Sequence, residues 1–365
     1  MITKSLRHET GIQKRMSDSD NTLLLAIQIP LAIPNLPAVI RENLVRYNER
    51  AKGAYAQNTL DAWESDLNGY WRICKELGLE AFPASSESIE RVIGFMGEII
   101  SKTKKNAQGD PIVTIVPRYR VATIRRYLAS ISKIHSVAGI YDPTRSWEAE
   151  LALRSVKNDH GEEGFGPQVQ AAPLNLTDLD AGLQQLNDTL RSDLIRALVS
   201  LAYDCLCRAE DLIRADVADI RAHSDGTGAL RIRKGKTDQS GEGRVLFISR
   251  TTMNYLTHWI AALPVSSGAL FRLVKDGQVS NTRIDYMFIY RAMKQVARAA
   301  GLDDAQISSH SCRVGAAQDM LAAGMTLVEI MNAGRWSSER MPARYTEYQQ
   351  AGRSGMAKLC NRIDR

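Results

Sequence analysis

Apolar residues recur at spacings of three and four over much of the first 160 residues, a pattern typical of helices that bury one face. One stripe contains Leu60, Trp63, Leu67, Tyr70 or Trp71, and Cys74, and a second contains Ile124, Leu128, Ile131 and His135. The pattern predicts a helical unit over residues 36–159. Residues 1–35 lack a clear period, and we interpret them as an N-terminal extension.

A change of composition separates this unit from the rest of the chain. The stretch KNDHGEEGFGPQVQAAP, residues 157–173, contains three glycines and two prolines and almost no apolar period. This composition predicts a loop, with a linker over residues 160–173. A second unit, residues 174–365, begins near Leu174, and Thr177 is the expected N-cap of its first helix.

The second unit mixes helical and strand patterns. Helices are predicted over residues 193–206, 209–214, 287–300, 313–323 and 327–333, the last two closed by Gly324 and Gly334. The stretch from Gly228 to Ser249 alternates with a period of two on both sides of a Gly-rich turn, which predicts a β-hairpin with Lys236 in or beside the turn. The expected fold is therefore mainly α-helical with a small β-hairpin or sheet, in two domains.

The net charge of +6 is modest for 365 residues, but the basic residues are distributed unevenly. Seven lysines and arginines lie between Ser101 and Arg126 against the single acid Asp110, and six lie between Arg231 and Arg250 against two acids. Basic stripes on a near-neutral background indicate a shaped site for a polyanion. A solvated basic loop is the alternative for each stripe taken alone.

The composition argues against membrane, disulfide-rich and metal-binding classes. The apolar run LLLAIQIPLAIP contains a glutamine and two prolines, is too short to span a membrane, and has no signal-peptide cleavage pattern. Five cysteines without a paired spacing and six scattered histidines predict neither a disulfide framework nor a metal site. We expect a reduced, intracellular protein without a metal.

One side of the second helical stripe is a candidate DNA-binding surface. The polar residues on this side of the helix are Thr123, Arg126, Ser130 and Lys133. Two arginines of the basic stripe that precede the helix, Arg118 and Arg120, complete the candidate set. Short polar and basic side chains on one helix face suit a DNA groove. An ordinary solvated surface is the alternative.

The segment SSHSCRVGAA contains a second candidate site. His310 and Arg313 are three residues apart, so both donors share one helix face, with no acid between them, and they predict an anion site. Cys312 is not expected to act as a nucleophile, because adjacent side chains on a helix point apart. The alternatives are a structural role for His310 and a salt bridge between Arg208 and Asp211.

Several candidate residues occur together in a distinctive order: an arginine at a helix start, a lysine on a hairpin, H-x-x-R, a tryptophan, and a tyrosine nine residues later. This order resembles the tyrosine site-specific recombinase family, in particular its phage and plasmid members. The stretches that carry the resemblance are CLCRAEDLIRADVADI (205–220), RKGKTDQSGEGRVLFI (233–248) and HSCRVGAAQDMLAAGMTLVEIMNAGRWSSERMPARYTEY (310–348). Two N-terminal stretches resemble the DNA-clamping domain of the same family, so the resemblance covers the chain from about residue 40.

The resemblance implies a role for each matching residue. Arg208 and Arg313 would hold the non-bridging oxygens of a scissile phosphate, with His310 and the indole of Trp336 as further donors. Lys236 would be the general acid, Asp211 would brace the site, and Tyr345 would be the nucleophile. Tyr348 is a competitor, but only Tyr345 has the family's spacing from the tryptophan.

The family also implies the partner and the assembly. The partner would be double-stranded DNA with inverted-repeat target sites, held in a two-domain clamp. A dimer would bind each site and a homotetramer would bind two, with no cofactor and no membrane. A cytoplasmic, nucleoid-associated protein of bacterial, phage or plasmid origin is the expectation.

Three features depart from the family pattern. Residues 101–119 resemble an insertion between helices, which we expect to form a loop or hairpin that adds DNA contacts, and the N-terminal extension is long. Pro342 prevents a regular helical turn back to Ser338, so the helix of Tyr345 must begin late or kink. The C-terminal tail has apolar residues near helical spacing and by analogy docks on a neighbouring protomer.

Other activities share parts of this pattern. A type IB topoisomerase or a telomere resolvase would use the same chemistry. A DNA-binding regulator would have the fold without the chemistry, and its function would not depend on Tyr345.

Overall fold

A computed structural model describes residues 35–51, 54–105, 109–166, 170–233 and 243–363. The chain divides into two compact units, residues 1–168 and 169–365, and the boundary lies inside the predicted linker. The predicted N-terminal extension, apart from Asn35, lies outside the described residues. No described helix is long and apolar enough to cross a membrane.

The N-terminal unit is built on amphipathic helices. They are α1 (Ala38–Ala51), α2 (Gln57–Leu77), α3 (Ser86–Gly97), α4 (Val121–Ala138) and α5 (Trp147–Glu162). The helices α2 and α4 end at Gly78 and Gly139, whose left-handed conformation lets the chain turn while their N–H groups cap the helix carbonyls. The predicted α4 stripe of Ile124, Leu128, Ile131 and His135 is buried, as is most of the α2 stripe, so both predicted helices are confirmed.

His135 links two parts of this unit from inside its core. Its Nε2 accepts the backbone N–H of Ala84 at 3.0 Å, and its Nδ1 lies 2.9 Å from the carbonyl of Ile131. These contacts require a neutral ring with the proton on Nδ1. Burial lowers the pKa of His135 and so favours that neutral form.

The inserted segment was expected to form a loop or a hairpin. It forms an antiparallel hairpin of strands β1 (Ile99–Lys105) and β2 (Pro111–Pro117). At its base, the Arg118 guanidinium bonds the Glu98 carboxylate at 2.6 Å and lies 3.9 Å from the centre of the Phe95 ring. Beyond the base, nearly every side chain of both strands is exposed. The hairpin therefore protrudes from a firmly held base.

The C-terminal unit contains helices, a three-stranded sheet and a second hairpin. Its helices are α6 (Leu176–Gln184), α7 (Leu190–Asp204), α8 (Ala209–Arg214), α9 (Arg250–Ala261), α10 (Tyr286–Ala299), α11 (Ser311–Ala322), α12 (Leu327–Gly334), α13 (Arg340–Tyr345), α14 (Glu347–Ala351) and α15 (Gly355–Ile363). Its strands are β3 (Ile220–Ala222), β4 (Gly228–Ile232), β5 (Arg244–Ile248), β6 (Arg272–Lys275) and β7 (Gln278–Arg283). The pairing of β4 with β5 confirms the predicted hairpin, and its turn lies outside the described residues.

The buried helix α7 forms the centre of this unit and packs against α9, α10 and α11. On α11, a Cβ at Gly315 would lie 2.0 Å from the carbonyl oxygen of Leu174, so only glycine permits this close approach. Asp319 then accepts hydrogen bonds from the Asn175 side chain at 2.7 Å and the Leu176 N–H at 2.8 Å. These contacts fix the helix that carries Arg313.

Three local predictions were wrong. The helix α5 continues to Glu162, so residues 157–162 are helical rather than loop. Thr177 lies inside α6, whose first N–H group, that of Leu176, donates to Asp319 instead of a local cap. Gly334 is the last residue of α12, and the left-handed residue that ends this helix is Arg335.

Candidate active site

Arg313, in the first turn of α11, is 1% exposed and is held by main-chain oxygens. Its Nη1 donates to the carbonyl of Leu206, and its Nη2 donates to the carbonyl of Gly334 at 3.0 Å. The guanidinium also lies over the indole of Trp336, 4.7 Å from the ring centre. Backbone acceptors satisfy hydrogen bonds without neutralising the charge, so Arg313 keeps its positive charge for an anionic ligand.

The loop between α7 and α8 shapes the site through an unusual backbone conformation. Leu206 has a φ of 45°, a left-handed conformation that costs a bulky residue roughly 1–2 kcal/mol. At this turn the Leu206 carbonyl meets Arg313. Arg208 follows at the N-cap position of α8 with its side chain partly buried.

Asp211 joins the start of α8 to the end of α12. Its carboxylate accepts the backbone N–H of Arg208 at 2.9 Å and the Nη2 of Arg335 at 2.7 Å. Both side chains of the Asp211–Arg335 pair are more than nine-tenths buried, at 5% and 8% exposure. The salt bridge considered between the Arg208 and Asp211 side chains is not formed, because within the described residues Asp211 pairs with Arg335 instead.

Trp336 connects the arginine cluster to Tyr345. The two aromatic rings meet edge to face, with centroids 5.7 Å apart and planes at 79°. A Cβ at Gly334 would lie 1.9 Å from the Cζ3 atom of Trp336, so glycine is needed for the ring to occupy this position. The same ring thus contacts both Arg313 and Tyr345.

The helix α13 begins late, as Pro342 requires. It starts at Arg340, which places Pro342 in the first turn, where helix N–H groups have no intrahelical partner and a missing donor costs nothing. Tyr345 ends the helix, is 8% exposed, and its carbonyl accepts the Gln318 side chain from α11 at 2.9 Å. Tyr348, by contrast, is 92% exposed.

The cluster is electropositive. Three arginines, Arg208, Arg313 and Arg335, face one aspartate. Burial, followed by the neighbouring positive charges, lowers the pKa of Arg313 to about 10, so it remains protonated at neutral pH. Burial and then the charge of Arg335 also lower the pKa of Arg208. A bound anion would relieve this repulsion, so the site is suited to a phosphate.

The remaining predicted site residues lie elsewhere or outside the described structure. His310 is exposed at the N-cap position of α11, one turn before Arg313. Lys236 lies outside the described residues. Cys312 points into the core, where its thiol contacts the sulfur of Met293 at 3.3 Å, and burial raises its pKa. No group of three or more potential metal ligands occurs among the described residues.

The candidate DNA-binding residues of the N-terminal unit do not form one exposed face. Ser130 is buried and donates to the Asp66 carboxylate at 3.0 Å, and Arg126 pairs with the same carboxylate at 2.8 Å. The ammonium of Lys133 lies over Tyr47, 4.9 Å from its ring centre. The expectation that Ser130 faces a groove is wrong, because the buried Asp66 engages its hydroxyl.

Arg126 and the three candidates not yet described differ in their surroundings. Arg126 is half exposed and Thr123 is partly buried on α4, whereas Arg118 is engaged at the base of the β1–β2 hairpin. Arg120 is exposed and donates to the carbonyl of Phe165 at 3.3 Å. Exposed basic groups are therefore available on this unit, but the polar face of α4 is narrower than the sequence pattern predicted, because Ser130 is buried.

Sequence reasoning missed three residues that shape the site: Leu206, Gly334 and Arg335. No sequence signal identifies a left-handed leucine. The sequence did contain a signal for Arg335. It is a basic residue between Gly334, near the end of a predicted helix, and the candidate residue Trp336. Glycine is favoured at the position directly after the end of a helix. An arginine at that position therefore indicates that its side chain has a structural or functional role.

Comparison with known proteins gives consistent results. Residues 180–351 match the model of the phage integrase family. The chain is 25% identical over 347 residues to the recombinase Cre of Escherichia phage P1, which covers 90% of this chain and 96% of Cre. It is 23% identical over 317 residues to an integrase/recombinase XerD homolog of Selenomonas ruminantium, with 83% of this chain and 85% of the relative covered.

Solved structures show the same fold at low sequence identity. The post-cleavage complex of the XerH site-specific recombinase with palindromic difH substrate has a TM-score of 0.55 at 13% identity and covers 90% of this chain and 92% of XerH. A Tn1549 transposon integrase in complex with circular intermediate DNA has a TM-score of 0.54 at 16% identity and covers 84% and 94%.

Proposed function

Because this chain is a tyrosine recombinase of the phage integrase family, an enzyme that cleaves and rejoins DNA, we propose that Tyr345 is its nucleophile and that Arg208 and Arg313 bind the scissile phosphate. The observation that carries this assignment is the single indole of Trp336, which contacts both the Arg313 guanidinium and the Tyr345 ring. A phosphate at the arginines would thus lie beside the phenol.

The reaction is a transesterification. The phenolic oxygen of Tyr345 attacks phosphorus, and the bond from phosphorus to the 5′ oxygen breaks, which leaves a 3′-phosphotyrosine and a free 5′ hydroxyl. His310 helps to remove the phenolic proton, and Lys236 protonates the leaving oxygen. The covalent intermediate conserves the bond energy, so a 5′ hydroxyl of another strand can reseal the bond without ATP.

The arginines supply most of the electrostatic stabilisation. Charge spreads over the phosphate oxygens in the transition state, and preorganised donors stabilise it without moving. Arg313 is preorganised by two backbone carbonyls, and its planar fork is suited to two phosphate oxygens. The indole N–H of Trp336 adds a further donor, and Asp211 braces the start of α8.

We propose that the two units clamp double-stranded DNA at an inverted-repeat site. The solved XerH recombinase, which has the same fold, is bound to a palindromic DNA substrate and supports this proposal. The β1–β2 hairpin adds contacts to the DNA backbone through Lys102, Lys104 and Lys105, whose side chains are exposed. Residues on α4, including Thr123 and Arg126, would approach a groove.

The assembly we propose is a dimer on each site and a tetramer on two sites, with strand exchange through a Holliday junction. The helix α15 supports this assembly, since its apolar residues Met356, Leu359 and Ile363 are exposed and none of its residues is buried. It would dock on a neighbouring protomer. We propose that the enzyme acts in the bacterial cytoplasm on DNA of the nucleoid, because the two relatives come from a phage and a bacterium.

Covalent trapping tests the assignment of the nucleophile. The protein is incubated with a pool of nicked duplexes, denatured in detergent, and examined for a protein–DNA adduct. The adduct should form with wild type and with Tyr348→Phe, a matched control for an exposed phenol, and be absent with Tyr345→Phe. An adduct lost only with Tyr348→Phe would contradict the assignment, and none from a pool that contains bound sites would favour a DNA-binding regulator.

A further inference from the structure

Arg335 is an unexpected residue at its position. It follows the last residue of α12 with φ 55° and ψ 47°, a left-handed conformation that glycine adopts without strain and other residues rarely adopt. Only four non-glycine residues of the described chain have a positive φ, and two of them, Leu206 and Arg335, lie at this site. Such strain persists where the side chain is needed.

The side chain of Arg335 has one principal partner, and that partner is buried. Its Nη2 bonds the Asp211 carboxylate at 2.7 Å, while its Nε is buried without a hydrogen-bond partner in the described part of the chain. Asp211 is three residues from Arg208 on the same short helix and already accepts the backbone N–H of Arg208. With Arg335 absent, the carboxylate could pair with the guanidinium of Arg208, whose backbone N–H it already accepts.

We infer that Arg335 is a positioning residue that keeps the Arg208 guanidinium available for the scissile phosphate by occupying Asp211. An arginine bound to a carboxylate cannot use the same donors for a phosphate. Arg335 pairs with the Asp211 carboxylate. The Arg208 guanidinium then has no carboxylate partner in the described residues and remains available for the phosphate. This inference rests on the proposed role of Arg208.

The charge relations agree with this arrangement. Arg335 lowers the pKa of Arg208 by repulsion, and Asp211 acts in the opposite direction. Loss of the Arg335 charge would therefore shift the balance toward an Arg208–Asp211 pair.

The test compares single-turnover cleavage rates of Arg335→Gly, Asp211→Asn and the double variant. The rates are measured on a duplex recovered from the trapping experiment, at saturating DNA and well below each melting temperature. Arg335→Gly relieves the backbone strain and should cleave about 10- to 100-fold more slowly, the range expected when a charge-assisted hydrogen bond competes. Adding Asp211→Asn removes the competing charge and should restore the rate to within a few-fold of Asp211→Asn alone.

The matched control is Asp276→Gly, which replaces another left-handed residue in the β6–β7 turn of the same unit and should cleave at the wild-type rate. A wild-type rate for Arg335→Gly would overturn the inference. A double variant as slow as Arg335→Gly while Asp211→Asn alone cleaves clearly faster would also overturn it, since Arg335 would then act on the DNA directly. A merely structural role would lower the melting temperature without changing the rate at saturation, and that too would contradict the inference.

Two further comparisons keep the test decisive. If Arg335→Gly does not fold, Arg335→Lys and Arg335→Gln are compared instead. Arg335→Lys should cleave at least tenfold faster, because only lysine keeps a cation beside Asp211. Equal rates would overturn the inference. A wild-type protein without a Tyr345-dependent adduct would instead refute the proposed function, so the two failures are distinguishable.

Discussion

Substitution of Gly334 by alanine should disconnect Tyr345 from the arginine cluster with little change in stability. The added Cβ would lie 1.9, 2.2 and 2.4 Å from Cζ3, Cε3 and Cη2 of Trp336, whereas ordinary contacts begin near 3.4 Å. The ring must therefore move by about 1 Å or more, and a displacement of that size near reacting groups can reduce the rate about 100-fold. Overpacking costs roughly 1–3 kcal/mol, partly offset by about 1 kcal/mol from replacing a helical glycine.

The assay is single-turnover formation of the covalent adduct at saturating DNA, together with thermal unfolding. All three atoms in the clash belong to the six-membered ring of the indole, which histidine lacks. The double variant Gly334→Ala with Trp336→His should therefore cleave faster than Gly334→Ala alone. Thermal unfolding of the same variants distinguishes this effect from a general loss of folding.

Gly94 provides the matched control, because it also lies within a helix but a Cβ there would meet no atom within 4 Å. Gly94→Ala should keep the wild-type rate and gain up to about 1 kcal/mol of stability. If Gly334→Ala cleaves at the wild-type rate, the position of the Trp336 ring does not govern the reaction and the reasoning is refuted.

Two further predictions concern the N-terminal unit. Replacing Lys102, Lys104 and Lys105 by glutamine should weaken DNA binding and reduce the slope of log affinity against log salt by about 0.9 for each phosphate that these lysines neutralise, measured by fluorescence anisotropy; an unchanged slope would exclude the β1–β2 hairpin from the DNA interface. Because burial lowers the pKa of His135, the folded unit binds fewer protons than the unfolded chain, so stability should fall as the pH drops below about 6.5, by at most about 1.4 kcal/mol per pH unit. Urea unfolding at several pH values, followed by tryptophan fluorescence, should show a shallower pH dependence in His135→Gln, whose amide can still accept the Ala84 N–H.

The sequence was most informative where residue type and order determine the chemistry. Arg313, Trp336 and Tyr345 were selected by their resemblance to the recombinase family, and the Trp336 ring contacts both of the others in the folded unit. Several helices of both units followed from apolar periodicity, because burial of one face determines that pattern. The late start of α13 followed from Pro342, since proline restricts the backbone locally.

Prediction failed where a partner distant in sequence decides the role of a side chain. Ser130 was predicted to lie on the surface, yet its hydroxyl donates to the buried Asp66 carboxylate of α2 and the residue is part of the core. Asp211 reads as a partner for Arg208, yet Arg335, more than a hundred residues later, pairs with it. Periodicity shows which face of a helix is polar, but it does not show which polar group lies opposite.

The attachment of Arg313 to two carbonyl oxygens has a consequence for how this protein can change over evolutionary time. Carbonyl oxygens belong to every residue, so no side-chain replacement at Leu206 or Gly334 can delete the acceptors themselves. What must be inherited is the path of the backbone. The side chain at Leu206 can therefore change while the guanidinium keeps its anchor, whereas position 334 must stay glycine because of the Trp336 ring. The loop between α7 and α8 is the point at which an insertion or deletion would be least tolerated.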